Sequence, residues 1–230
     1  MKGLLLQDIK FQFRHGFYLA YTLISCFYIF LLVYLPERYL EKIASLIIFS
    51  DPSTLGFFFM GGLLLLEKDQ HIFNPLFITP LSIHRYICSK IGSLCLLSIA
   101  SSCVIKGVVF GFSNLTFIML IGVILTSLLF SLIGIAIAAI SQSLNHFFLL
   151  ATIYTTWLFL PILPAVNLAE HWLFCLLPTT GSLLLINGGF HVIDYVRFLY
   201  STCILLISIG LAYWIAYHSF KKHIVLKIGD

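Results

Sequence analysis

Charge is what this chain has least of. Of its 230 residues only 10% are Asp, Glu, Lys or Arg, 60% are hydrophobic, and the mean hydropathy is +1.06. An ordinary soluble domain carries about 25% charged and roughly 45–50% apolar residues. A folded core cannot absorb such an excess, so lipid has to act as solvent for much of the surface. A polar stretch long enough to fold by itself is also missing, which leaves one membrane domain over residues 1–230. The short alternating segments that build membrane barrels are missing too, and the continuous apolar runs read as helices.

The motifs of catalysis are absent as well. Without a GxxxxGK(S/T) phosphate cradle the chain is not expected to hydrolyse ATP itself, and HExxH and GxSxG do not occur. His15, His71, His84, His146, His218 and His223 fall on one side of the membrane by the topology below, His171 and His191 on the other, and none shows ligand spacing. The six cysteines contain no CxxC and read as small packing residues. No catalytic residue, metal site or cofactor is therefore expected in this chain. The formal net charge of +4 reflects membrane topology rather than a nucleic-acid surface.

What is present is a series of apolar runs near the roughly 20 residues that a helix needs to cross a bilayer. Six spans are expected: Phe17 to Leu35, a second ending at Leu66, Ile91 to Phe112, Leu115 to Ile140, Phe147 to Pro164, and Val196 to Tyr217. The first is too long for a cleavable signal, and no small-residue cleavage pattern follows it. Lys2, Lys10, Arg14, Lys68, Arg85, Lys90, Lys221, Lys222 and Lys227 gather on one side, against Arg38, Lys42 and Arg197 on the other. The positive-inside bias then puts both termini in the cytoplasm of a bacterial or archaeal cell, the chain lying in its inner (plasma) membrane.

Residues 1–16 read as an interfacial amphipathic helix. Leu5, Ile9 and Phe13 form its apolar stripe, with Gln7, Lys10 and Arg14 on another face. Gly16 permits a bend into the first span. A short charged external loop is expected from Pro36 to Lys42. Asp51-Pro52-Ser53 then interrupts an apolar run, and a capped short helix and a kink in one long span are both open, the kink being favoured. Pro161, Pro164, Pro178, Gly181, Gly188 and Gly189 punctuate the region 164–194, which reads as an external re-entrant segment of short helices forming a gate at a dimer interface.

The long polar island is Glu67 to Lys90, EKDQHIFNPLFITPLSIHRYICSK. Ile72, Phe73, Leu76 and Phe77 have helical spacing, Thr79-Pro80-Leu81-Ser82 breaks the chain, and Ile83, Tyr86 and Ile87 carry an apolar stripe into the third span. The result is a short cytoplasmic helix at the membrane surface, joined at both ends to spans and so able to pass force to them. Inert interfacial helices with the same pattern are common, and both readings stand on the residues alone.

This loop resembles that of the type-2 ABC exporter permeases, which carry an acidic residue after the second span and then a pattern near LxxTPLS…Y…K. Glu67, Leu76, Thr79, Pro80, Leu81, Ser82, Tyr86 and Lys90 match it. The stretches DIKFQFRHGFYLAY, FSDPSTLGFFFMGGLLLLEK and LFITPLSIHRYICSK are similar to permeases of the fluoroquinolone-exporter type. One departure is His71-Ile72-Phe73-Asn74, where many relatives carry Gly-Thr. The resemblance implies an all-α permease with six transmembrane helices. It implies a coupling helix in which Glu67, Asn74, Leu76, Phe77, Thr79, Pro80, Leu81 and Ser82 engage an ATPase. The partners implied are two ABC ATPase subunits, which bind ATP and Mg, and a second permease subunit, identical or not. The function implied is export of an amphipathic small molecule or lipid-like substrate. Haem-exporter permeases share this architecture and are a rival, as is an intramembrane enzyme from a different class.

Two further groups of polar residues lie within the apolar runs. Thr126, Ser127, Ser131, Thr155 and Thr156 are polar points that could line a substrate path, although intramembrane hydroxyls more often bond backbone. Asp51 and Lys106 each stand sixteen positions from a cytoplasmic span end, roughly 24 Å above it. They could form an intramembrane ion pair, with Gly107 and Gly111 allowing close approach, or each could reach the outer headgroups separately.

Overall fold

The structure is a computed structural model that describes residues 2–73, 76, 82–112, 116–165 and 172–227. Among the described residues every regular element is helical. In chain order they are α1 (Lys2–Arg14), α2 (Phe17–Val33), α3 (Glu37–Asp69), α4 (Ile83–Phe110), α5 (Phe117–Ile140), α6 (Leu144–Phe159), α7 (Ile162–Ala165), α8 (Pro178–Asn187) and α9 (Tyr195–His223), with 3-10 turns at Trp172–Leu176 and Val225–Lys227. Four of these, α3, α4, α5 and α9, are long and apolar enough to cross a membrane, and a fifth crossing follows if the bent pair α1–α2 counts as one span.

α5 is the most enclosed of the long helices and α9 the least. α5 packs against α9, α3, α8 and α4, and so forms the axis of the bundle. Its small residues explain the closeness. A Cβ on Gly134 would stand 2.8 Å from the backbone oxygen of Phe57 on α3, and one on Gly122 would stand 2.9 Å from Leu185 Cβ on α8. On the perimeter, Leu19, Leu23, Phe27 and Phe30 of α2 and Val196, Leu199, Ile207, Leu211 and Trp214 of α9 remain exposed. Such contiguous apolar surface is stable against lipid and not against water.

Several expected boundaries hold in outline. Gly16, at φ +77°, sits at the 66° bend between α1 and α2. The kinked-span reading of the second crossing is the one observed: α3 runs through 33 residues, with a π-helical turn at Asp51–Leu55. A proline without an N–H, at a place where the ladder slips to the wider register, accounts for the break. The external loop expected at Pro36 to Lys42 is not there. Helix begins at Glu37, because Pro36 is extended and the charged residues that follow are good helix formers. α6 has 16 residues, below the length of an untilted span. In the region 164–194, α8 buries Thr179, Gly181, Ser182, Leu183, Leu185 and Ile186 against α9, α5 and α3, while residues 166–171 lie outside the described part.

Candidate functional site

α1 and the last turns of α9 lie at one end of the bundle, and the roots of the 67–90 loop lie there with them. Glu67 closes the last turn of α3, and Tyr86 and Lys90, one turn apart, face it from the start of α4. Lys90 Nζ binds Glu67 Oε1, and Tyr86 Oη donates to Glu67 Oε2 at 2.5 Å. The third party is Asp8 of α1, whose Oδ1 is 2.6 Å from Lys90 Nζ and whose Oδ2 accepts from Ser89 Oγ at 2.5 Å. One turn further on, Gln12 Nε2 donates to Ser93 Oγ at 2.6 Å. Asp8, Glu67 and Lys90 are 9%, 5% and 2% exposed, so two carboxylates share one ammonium in a place that water barely reaches. Charge-assisted hydrogen bonds are the strong ones, and at this depth each partner depends on the others staying in place.

This arrangement adds a polar face to α1. Asp8 and Gln12 are its buried residues, Leu5 and Ile9 beside them are half-buried, and Phe13 is exposed. The helix turns a polar edge to α4, with Leu5, Ile9 and Phe11 half-buried beside it. Neither Asp8 nor Lys90 was expected at a site from their own positions. Lys90 was legible only as part of the loop pattern, and Asp8 not at all.

Aromatic rings tie the same end to the last helix. Phe73 stands edge-on to Tyr86, with centroids 5.9 Å apart, and to Phe220 of α9, at 5.7 Å. His84 stacks on Tyr217 at 4.6 Å and its Nδ1 bonds the Tyr213 hydroxyl. Lys68 Nζ donates to Ser141 O at 2.8 Å, joining the ends of α3 and α5. The turn out of α3 is a two-bond cap: the His71 N–H donates to Lys68 O and the Ile72 N–H to Glu67 O. Its left-handed residue is His71 at φ +54°, a conformation that favours glycine. Of the residues expected to meet an ATPase, Leu76 is half-buried, with its N–H on Ile72 O, and Ser82 is exposed at the start of α4. Asn74, Phe77, Thr79, Pro80 and Leu81 lie outside the described residues.

Inside the bundle the expected ion pair is not made. Lys106 Nζ donates to Gly189 O at 2.5 Å and stands 4.6 Å above the Phe190 ring. A long flexible stem let it reach a carbonyl at the far end of the bundle. Gly107 does not receive a partner helix, because the ring of Phe112 already covers it. Asp51 reaches neither Lys106 nor either end; it is fully buried in the π-helical turn.

The five hydroxyl residues divide. Thr126, Thr155 and Thr156 donate to the carbonyls of Gly122, Ala151 and Thr152, the backbone role that such residues usually play. Ser127 and Ser131 are buried and their hydroxyls have no hydrogen-bond partner among the described residues. A cavity of about 620 Å³ opens between α5, α6 and α9, but its lining includes Leu129, Tyr154, Trp157, Ser208 and Ser219 and none of the five.

Comparison with known proteins gives concordant results. Residues 2–228 match the Fluoroquinolones export permease protein family. Two curated relatives, fluoroquinolones export permease proteins of Mycobacterium tuberculosis strains CDC 1551 / Oshkosh and ATCC 25618 / H37Rv, are each 26% identical over 186 residues, covering 80% of this chain and 78% of theirs. No solved structure matches.

Proposed function

The chain belongs to the Fluoroquinolones export permease protein family, and from that premise we propose that it is the membrane subunit of an ATP-driven exporter. It is an integral membrane transport subunit rather than an enzyme, as family and apolar helices agree. In the finer reading it crosses the membrane six times, with both termini and the 67–90 loop in the cytoplasm. It pairs with a second permease subunit and with two ATPase subunits that bind ATP and Mg. The cargo is an amphipathic small molecule, fluoroquinolones being the class that its relatives' names carry.

The observation that carries the coupling reading is the buried Asp8–Lys90–Glu67 cluster. A loop can transmit force only if its roots do not yield. Here both roots are fastened to one another, to α1 through Asp8, and to α9 through Phe73, Tyr86 and Phe220. Displacing residues 74–81 would then tilt α3 and α4 together rather than stretch the loop. Two rigid arrangements biased by ATP are the physical content of such an exporter.

Co-purification with ATPases encoded beside this chain tests the reading, followed by ATP hydrolysis with and without the chain. The expected result is a complex whose hydrolysis responds to amphipathic compounds, and which loses that response when Leu76 or Phe77 becomes Asp. Failure of every such ATPase to associate, or normal coupling in both Asp variants, would overturn it.

A further inference from the structure

Asp51 is the one carboxylate in the described residues that is wholly enclosed and unpartnered. It is 0% exposed, and neither Oδ1 nor Oδ2 has a hydrogen-bond partner. Its neighbours are committed elsewhere. The hydroxyls of Ser53 and Thr54 donate to the carbonyls of Phe49 and Ser50, and Lys106 is held by Gly189 O. Ser101 of α4 lies beside it, and the Ser101 and Ser25 hydroxyls share a hydrogen bond of 2.8 Å in which either can be the donor. A bare carboxylate in such surroundings carries a proton or meets a cation.

A second observation lies beside it. Between α2 and α4 there is a cavity of about 260 Å³, lined by Tyr18, Tyr21, Thr22, Ser25 and Ser101 together with aliphatic side chains. Tyr21 and Ser101 belong to both places: each lines the cavity, and each lies near Asp51. A carboxylate behind hydroxyls, next to aromatic faces and alkyl walls, is complementary to an apolar molecule carrying one positive charge. The π-helical turn suits a site that must shift, because Pro52 leaves the local ladder incomplete.

We propose that Asp51 is the anionic anchor of a binding site for an organic cation, whose apolar body occupies the cavity between α2 and α4. This rests on the export reading and adds to it the charge class of the cargo. In the closed arrangement the carboxyl holds a proton. When the cation enters, Ser101 releases Ser25, the O–H bond of Asp51 breaks, the proton leaves to water, and the carboxylate keeps the electron pair and faces the cation. The exchange is one positive charge for another. The other titratable groups at this site are Tyr18, Tyr21 and Cys26 of α2, which line the cavity, with Tyr28 of α2 and Cys95 of α4 near Tyr21; α5 brings no titratable side chain, and the charges of α3 nearest its start are at Glu37, Arg38, Glu41 and Lys42.

The test uses purified permease in detergent and two probes of the same shape. Benzyltrimethylammonium is charged at every pH, so any proton that appears on binding comes from the protein. Neopentylbenzene is its uncharged carbon analogue. The wild type should bind the cation in preference to the analogue and release roughly one proton per cation bound, by linkage. Asp51→Asn should bind the cation about tenfold more weakly or worse, release no proton, and bind neopentylbenzene as before. If Asp51→Asn fails to fold, infrared spectra of the wild type decide: the protonated-carboxyl stretch should vanish as the cation is added. Equal cation binding in the Asn variant, cation binding without proton release, or an unchanged carboxyl band would overturn the proposal. Association with an ATPase is scored separately, so loss of this site leaves the export reading standing, and the reverse also holds.

Discussion

Lys90 is where three helices close on one atom. Its ammonium lies between Asp8 of α1 and Glu67 of α3 and over the rings of Phe11 and Tyr86, at 5.5 and 5.4 Å. Removing it strands two carboxylates in a buried place, a change that typically destabilises by about 3–5 kcal/mol. Lys90→Met should therefore lower the thermal unfolding midpoint in detergent by several degrees. Adding Asp8→Asn and Glu67→Gln should recover part of the loss, since a neutral cluster no longer holds unpaired charge. An unfolding midpoint for Lys90→Met equal to wild type would show that the cluster does not hold the helices. At His71 the issue is backbone rather than charge. Its φ of +54° is tolerable for His and poor for a β-branched residue. His71→Val should destabilise by about 1–3 kcal/mol relative to His71→Gly, read from the same unfolding curves.

At the scale of elements, contact distance decides what α5 will accept. A methyl at Gly134 would press 2.8 Å from the Phe57 carbonyl oxygen, and a backbone atom cannot rotate away. Gly134→Ala should force α3 from α5 and destabilise by about 1–3 kcal/mol, whereas Gly210→Ala, where a Cβ meets nothing within 4 Å, should be neutral or better. Thermal unfolding of the two variants side by side checks this. The elements also show what could be read in advance. The break at Asp51-Pro52 was legible because proline cannot donate, while the π-helical form of the break was not, since it depends on packing against α4 and α5. α3 was read as starting late because Glu37, Arg38, Glu41 and Lys42 lower the local hydropathy without lowering helix propensity. The polar face of α1 was hidden for another reason. Asp8 and Gln12 resemble solvent-facing residues until Ser89, Lys90 and Ser93 are placed opposite, about eighty positions along the chain. The ion pair of Asp51 with Lys106 failed on the same kind of information: equal height on two helices says nothing about which way each side chain faces.

At the scale of the whole molecule, where the ends meet bears on the proposed six crossings. Asp8 touches Lys90, and Phe220 touches Tyr86, so the first and last helices begin and finish at the same end of the bundle. A chain that returns to its starting side crosses an even number of times. The four long helices and α2 make five, and the remaining helix that runs from the Ser141 end toward α8 and α9 is α6. Its 16 residues rise roughly 24 Å, short for a hydrocarbon core of about 30 Å but serviceable if Leu160 and the residues after it continue the path. This supports six crossings, with Asp194 on the face opposite Lys221. Single cysteines at these two positions, in a background freed of the six natural ones, put the arrangement to a direct test. An impermeant maleimide applied to intact cells should label position 194 and leave position 221 unlabelled until the membrane is opened. Labelling of position 221 in intact cells with position 194 protected would mean that α6 does not cross, leaving five crossings and removing the basis for placing both termini with the 67–90 loop in the cytoplasm; labelling of both from the same face would mean that α9 itself does not cross.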